Sequence, residues 1–272
     1  MSALFHPYLC GRIAAEWLIK MRRWLLACDY DYTLSIDGQI SKENIEAVKT
    51  FRKNGGVFGI VSGRAGSSGP HLASCIPGQI DFVLCCTGAV LFETAERRET
   101  LACYPAETAA LLYAFAKESG ACGFGAFALE RECLFDLGDP QADVLIAQFL
   151  KENQEINQSH IRFLNEEDAS AETARLRGLL GACVNPQQNG RVMDIPPAGM
   201  DKAEGVRRMA ERYGISQGDI YAAGDQYNDA SMVETFHGFA MAHGVDALKV
   251  KAESVVKDVA EAVRIILQGP AG

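Results

Sequence analysis

The sequence predicts an α/β fold: a doubly wound parallel-sheet core with an inserted α+β cap domain. Two observations carry this expectation. Short apolar runs such as "LLAC", "VFGIV" and "DIYAAGD" end abruptly in polar residues and alternate with stretches of helical periodicity, the pattern of a parallel sheet. Between residues 104 and 190 that alternation gives way to helices mixed with hairpins, and afterwards it resumes. The chain therefore divides into a core, 1–103 and 191–272, and a cap, 104–190.

Each element has its own justification. Residues 24–28 form a short, wholly apolar run and read as a buried strand. Ser41 is a plausible N-cap for a helix over 43–52, where Ile45, Val48 and Phe51 recur at helical spacing and Asn54-Gly55-Gly56 follows as a stop. "VFGIV", 57–61, is a second buried strand, and "DFVLCCTGAVLF", 81–92, a further strand region broken by Gly88. A helix over 105–119 opens with Pro105 and ends before Gly120. "FGAFALERECLFDL", 124–137, reads as a hairpin turning at Glu130-Arg131-Glu132. Helices are expected near 140–152 and 168–180, a strand at 160–164, and a second hairpin turning at Gln188-Asn189-Gly190. Lys202 opens a helix to Tyr213. Strands follow at 219–225 and 237–242, and a terminal helix over 257–267.

Composition limits the function classes. The 272 residues are 48% hydrophobic and 22% charged, with 26 Lys+Arg against 35 Asp+Glu and a formal net charge of −9. An acidic chain without a basic run is poorly suited to nucleic acid or an anionic membrane surface. No apolar stretch approaches the length of a membrane span. Nine scattered cysteines without a CxxC pair or Cys/His metal spacing read as reduced and mostly buried, which points to the cytoplasm. The first twenty residues, ahead of Met21, read as an accessory extension or an upstream start. Nothing in the sequence addresses the oligomeric state.

The chemistry sits where strands stop. The first strand runs straight into Asp29-Tyr30-Asp31, two carboxylates that repel one another unless a cation or a reaction uses both. The second strand ends at Ser62-Gly63-Arg64. Lys202 opens a helix, and "GDQYND" follows a buried strand with Asp225, Asn228 and Asp229. Ligands of parallel α/β sheets bind at these carboxyl ends. Carboxylates from two strand ends can share Mg²⁺, a hard cation that favours oxygen ligands and retains waters for a substrate phosphate to replace. One Asp of the pair could then attack phosphorus while the other moves the leaving-group proton. The Ser62 hydroxyl, the Lys202 ammonium and backbone N–H groups would hold the non-bridging oxygens. Read singly, Asp29 and Asp31 fit a turn, Lys202 a solvated first-turn lysine, and Arg64 a salt bridge. Together, in order and at strand ends, the four parts point to phosphoryl transfer.

On these motifs the sequence resembles the haloacid dehalogenase superfamily of phosphohydrolases, in its Cof-type or IIB branch. "DYDYTL" is similar to that family's first motif, "VSGR" to the second, "MDKAEGV" to the third and "GDQYND" to the fourth; the resemblance covers the chain after about residue 21. It implies Asp29 as nucleophile and Asp31 as general acid/base, with Lys202 orienting Asp29 and binding phosphate. It implies a phosphate and substrate site of Ser62, Gly63, Arg64 and Asn228, with Thr33 shaping the loop. It implies a Mg²⁺ shell of Asp29, Asp225, Asp229 and Asp31, the last through its backbone carbonyl. The expected reaction is hydrolysis of a small phosphorylated metabolite, a sugar phosphate first, through an aspartyl-phosphate. A phosphomutase using the same intermediate and a non-catalytic phospho-ligand-binding protein are the alternatives. Two departures stand out: Tyr32 replaces the usual Gly after the second Asp, and Thr87 replaces the usual Asn before Gly-Ala.

Overall fold

The structure, a computed structural model, describes residues 24–93 and 97–269; the accessory N-terminal reading falls outside them. An eight-stranded sheet has the order β15-β14-β13-β1-β2-β3-β4-β5. Its strands are β1 (Leu25–Cys28), β2 (Val57–Val61), β3 (Phe82–Cys85), β4 (Val90–Phe92), β5 (Arg98–Thr100), β13 (Ile220–Gly224), β14 (His237–Met241) and β15 (Ser254–Val256). The pairings from β15 through β3 are all parallel, while β4 and β5 are antiparallel additions at one edge.

Strand alternation explains why both faces are covered. Along β1, Leu26 and Cys28 point into one apolar cluster with Val48, Phe51, Val263 and Ile266 of helices α1 (Lys42–Lys53) and α9 (Val259–Gln268). Leu25 and Ala27 point into the other, with Val206 and Met209 of α6 (Lys202–Tyr213) and Met232 of α7 (Ala230–Thr235). A strand buried on both faces has no polar alternation, so "LLAC" reads as continuous apolar sequence. The Ser41 cap is present: its side chain accepts from the Asn44 N–H.

The stretch 81–92 is a hairpin rather than one interrupted strand. Cys86, Thr87 and Gly88 take φ values of 52°, 53° and 97°, and three left-handed residues in succession reverse the chain so that β4 returns antiparallel to β3. Only Gly adopts this region without steric penalty.

The inserted α+β body contains an antiparallel sheet of order β11-β12-β10-β7-β8, formed by β7 (Gly123–Ala128), β8 (Arg131–Asp136), β10 (Gln158–Arg162), β11 (Gln187–Asn189) and β12 (Val192–Ile195). A two-stranded piece, β6 (Tyr104–Pro105) with β9 (Glu155–Ile156), lies beside it. Helices α3 (Ala106–Glu118), α4 (Ala142–Glu152) and α5 (Glu166–Leu180) supply the rest. The second sheet continues past residue 190, because β12 pairs with both β10 and β11. Both hairpin turns are displaced from the expected residues. The first is Leu129-Glu130, with Ala128 paired to Arg131; the second is Gly190-Arg191, with Asn189 paired to Val192.

This sheet is two-faced. Phe124, Ala126, Ile161, Met193 and Ile195 join the helices in an apolar cluster. The alternate residues, among them Phe127, Glu132, Gln158, His160 and Asp194, lie on the opposite face of the pleat. Of the eight described cysteines all are free, three are buried and two are exposed, fewer buried than composition suggests. Among the described residues no helix is long and apolar enough to cross a membrane.

Candidate active site

The sheet brings the predicted polar groups to one edge. Asp29 continues the parallel ladder by one bond, its N–H donating to the Ala223 carbonyl at 2.9 Å, and the chain then turns away with Asp31 and Thr33. Ser62 follows β2, Asp225 follows β13, and Lys202 is the first residue of α6, whose N-cap Asp201 accepts from the Glu204 N–H at 2.8 Å. Residues almost 200 positions apart thus become neighbours.

Lys202 is the electrostatic centre. It is fully buried, and its Nζ lies 2.7 Å from Asp29 Oδ1 and 2.5 Å from Asp229 Oδ1. Burial alone would lower the lysine pKa, but the Asp229 and Asp29 carboxylates outweigh it and raise it above the usual lysine range. The other oxygen of Asp229 accepts from the Asp225 and Gln226 N–H groups, each at 2.9 Å. Asp229 therefore folds back over its own loop, and the space it needs is open because residue 224 is Gly: a Cβ there would sit 2.5 Å from Asp229 Cβ. Thr33 Oγ1 donates to Asp225 Oδ1 at 2.9 Å.

Asp29, Asp225 and Asp229 each place a carboxylate oxygen within 4.8 Å of the others. One lysine cannot balance three buried carboxylates. Burial, aided by the neighbouring carboxylates, pushes Asp29 upward against the opposing Lys202, and pushes Asp225 up to about 6. All the donors are hard oxygens and the cluster carries surplus negative charge, so the residues fit a hard divalent cation. Asp229 has both oxygens engaged within the protein, leaving Asp29 and Asp225 as the freer donors.

Asp31 stands apart from this cluster. Arg64 Nε and Nη2 donate to its two oxygens at 2.8 and 2.6 Å. The side chains of Asp31 and Arg64 are thus paired with each other, and a metal contact from Asp31 could come only through its backbone. That hydrogen bond to Asp31 raises the Arg64 pKa further. Tyr32, in the position usually held by Gly, has φ 60°, and its carbonyl lies 2.6 Å from His243 Nε2. The resemblance's Gly is the residue that this left-handed conformation favours.

Ser62, Gly63, Arg64 and Asn228 line a cavity of about 230 Å³ with Asp29, Asp31 and Asp225. The Ser62–Arg64 loop is shaped from behind. Cys86 and Thr87 donate their N–H groups to the Arg64 and Ser62 carbonyls at 2.8 and 3.0 Å. Thr87 Oγ1 donates to Gln158 Oε1 at 2.7 Å, and Gln158 Nε2 donates to the Gly63 carbonyl at 2.9 Å. A buried cap carboxamide thereby ties the left-handed turn to the Ser62–Arg64 loop.

The sequence reading missed Gln158, Asn189 and Asp194. Asn189 and Gly190 reach the same cavity as Asp29. Asp194 Oδ2 accepts from Asn189 Nδ2 at 3.1 Å and Asn228 Nδ2 at 3.3 Å, and Oδ1 from Gln158 Nε2 at 3.4 Å. Residue 63 must be small here, since a Cβ on Gly63 would lie 2.8 Å from Asp194 Oδ2. Burial pushes Asp194 up to about 6. Its one advance signal was a lone acid in the apolar alternation "VMDI".

This arrangement, carboxylates and a lysine at the carboxyl ends of parallel strands beneath an α+β cap, is that of a phosphoryl-transfer fold. A family model described as haloacid dehalogenase-like hydrolase matches residues 26–263, and the chain belongs to that family. It is 39% identical over 88 residues to the phosphoglycolate phosphatase of Pyrobaculum neutrophilum, covering 30% of this chain and 39% of that one. It is 42% identical over 67 residues to the 5-amino-6-(5-phospho-D-ribitylamino)uracil phosphatase YwtE of Bacillus subtilis, covering 24% and 23%. The matches thus span less than half of these curated relatives. The fold is similar along its length to a HAD/COF-like hydrolase of Plasmodium vivax, with TM-score 0.74 at 19% identity over 93% of this chain and 99% of that one.

Proposed function

We propose that the protein is a Mg²⁺-dependent phosphatase that hydrolyses a small phosphate monoester, with a sugar phosphate as the first candidate, through an aspartyl-phosphate on Asp29. The observation that carries this reading is the buried Lys202–Asp229 pair holding Asp29, which lines the open cavity. Lys202 aims one Asp29 oxygen and leaves the other for phosphorus. Asp29 attacks, the bond from phosphorus to the leaving oxygen breaks, and Asp31 gives that oxygen a proton. Asp31 then takes a proton from the water that cleaves the acyl phosphate and regenerates Asp29. Both steps require Asp31 to release Arg64. Ser62, Gly63 and Asn228 would hold the non-bridging oxygens.

Asp29, Asp225 and the Asp31 carbonyl would hold Mg²⁺, with Asp229 supporting them. When bound, the ion neutralises the repulsion between an anionic nucleophile and an anionic ester. The cap, with its sheet carried through Ile195, would close over the ester, exclude water and select the leaving group.

The test is phosphate release from a panel of phosphomonoesters with and without Mg²⁺, using Asp29→Asn as control. Mg²⁺-dependent release, lost in Asp29→Asn with the fold retained, is the expected result. Turnover retained in that variant would sink the mechanism. An isomeric phosphate in place of free phosphate would identify a mutase, and tight binding without either product would identify a non-catalytic binder.

A further inference from the structure

A second cavity, of about 380 Å³, opens beside the catalytic one and shares Gly63, Arg64 and Asn189 with it. A leaving group attached to a phosphate near Asp29 has this space to enter. Its walls come from the core-facing side of the cap sheet, including Glu132, His160 and Asp194. Asp194 and His160 stand opposite each other across the β10–β12 ladder, on the same face.

The charge of these walls is specific. Asp194 is buried, and its hydrogen-bond partners among the described residues are three carboxamides, those of Asn189, Asn228 and Gln158. Among the described residues no salt bridge reaches Asp194, whereas the nearby Arg64 is paired with Asp31. His160 and Phe127 pack edge to face, ring centroids 5.1 Å apart. Burial lowers its pKa to about 4, so it presents a neutral imidazole at pH 7. The cavity therefore offers hydrogen-bond acceptors and negative charge, and Arg64, the cation on these walls, is paired with Asp31 and on release would be taken up by the phosphate.

Building on the phosphatase reading, we propose that Asp194, aided by Glu132, selects esters whose leaving group presents hydroxyl donors and rejects those that present a carboxylate. A hydroxyl can donate to Asp194 Oδ1, whose bond from Gln158 is long. A carboxylate meets a second negative charge at Asp194, whose side chain is buried. The chain would thus differ in substrate from a phosphatase acting on an acid such as phosphoglycolate, despite the sequence shared with one.

The experiment compares glycerol 3-phosphate with 3-phosphoglycerate, which have the same carbon skeleton and differ by CH₂OH against COO⁻. Wild-type kcat/KM should favour the alcohol on the order of 100-fold, the scale of like charges meeting in a desolvated interface. Asp194→Asn should narrow that ratio at least about tenfold, and Glu132→Gln, at an exposed rim position, by a smaller factor. Calorimetric binding of both esters to the Asp29→Asn protein reads the same ratio without turnover. Absent turnover with the binding preference retained would count against the phosphatase reading alone. A wild-type ratio near one, a preference for the acid, or a ratio that neither variant moves would overturn the selectivity assigned to Asp194.

Discussion

Replacing Lys202 by Met tests the electrostatics of the site directly. Methionine keeps most of the apolar stem, so the lost packing is small and the charge is what disappears. Lys202 and Asp229 are fully buried and their oxygen–nitrogen distance is 2.5 Å; the variant leaves Asp29, Asp225 and Asp229 without their cation. Removing one partner of a buried ion pair costs roughly 3–5 kcal/mol, because the remaining charge stays desolvated. Urea unfolding at pH 7.5 without Mg²⁺ should show a loss of that size with an unchanged m-value. The raised lysine pKa means that this stabilisation is complete below the unfolded lysine value and is lost only as pH rises through the higher folded one. The loss should therefore persist at alkaline pH and shrink as pH falls toward about 6, because without the Lys202 charge, which lowers its pKa, Asp225 gains its proton above that value. Adding Asp229→Asn should recover part of it, since the two substitutions remove one interaction. A loss below about 1 kcal/mol, with no pH dependence and no coupling to Asp229, would refute the reading.

Other consequences follow from the cap contacts. Gln158→Leu strands the buried Thr87 hydroxyl, at a cost of about 1–3 kcal/mol, and unties the half-buried Gly63 carbonyl; a fall in Tm and a higher KM for phosphate esters are expected, by scanning calorimetry and initial rates. Thr87→Asn relieves left-handed strain at φ 53° by about 1 kcal/mol but gives up the buried hydroxyl's bond to Gln158, so a urea midpoint close to that of the wild type is expected. Asp194 releases its proton at about 6 in the folded chain instead of about 3.8, so its ionisation destabilises the folded state. Stability should fall as pH rises from about 4 to 6 and level off above, by about 3 kcal/mol at most. Asp194→Asn should flatten that part of the unfolding free-energy profile.

The core was legible because its elements obey local rules. "LLAC" and "VFGIV" are continuous apolar runs since both faces of a parallel strand are covered, and Ser41 caps a helix that its sequence announces. The hairpin at Cys86–Gly88 was less legible. Cys and Thr seldom adopt positive φ, so nothing in "CCTG" signalled a reversal except the Gly. The displaced turn at Leu129 has the same origin: Leu at φ 52° is a poor advertisement for a turn, and the charged residues after it drew the prediction forward.

The catalytic edge and the cap differ in legibility for a deeper reason. Asp29, Ser62, Lys202 and Asp225 are read from sequence because each chemical part needs a polar residue at the end of an apolar strand or the start of a helix. That requirement is local. Asp194 and Gln158 act across a pleated sheet onto loops that belong to another part of the chain, and their partners Gly63, Asn228 and Thr87 lie 131, 34 and 71 positions away. Even so, the strand period leaves a trace. In "VMDI" the acid alternates with Met193 and Ile195, so if those two face the cap core, Asp194 must face away from it. An acid on that face is either solvated or aimed at a partner, and its burial against Gly63 and Asn228 excludes the first. The trace becomes a functional statement only when the topology shows that the outward face of the cap sheet is the one turned toward Asp29.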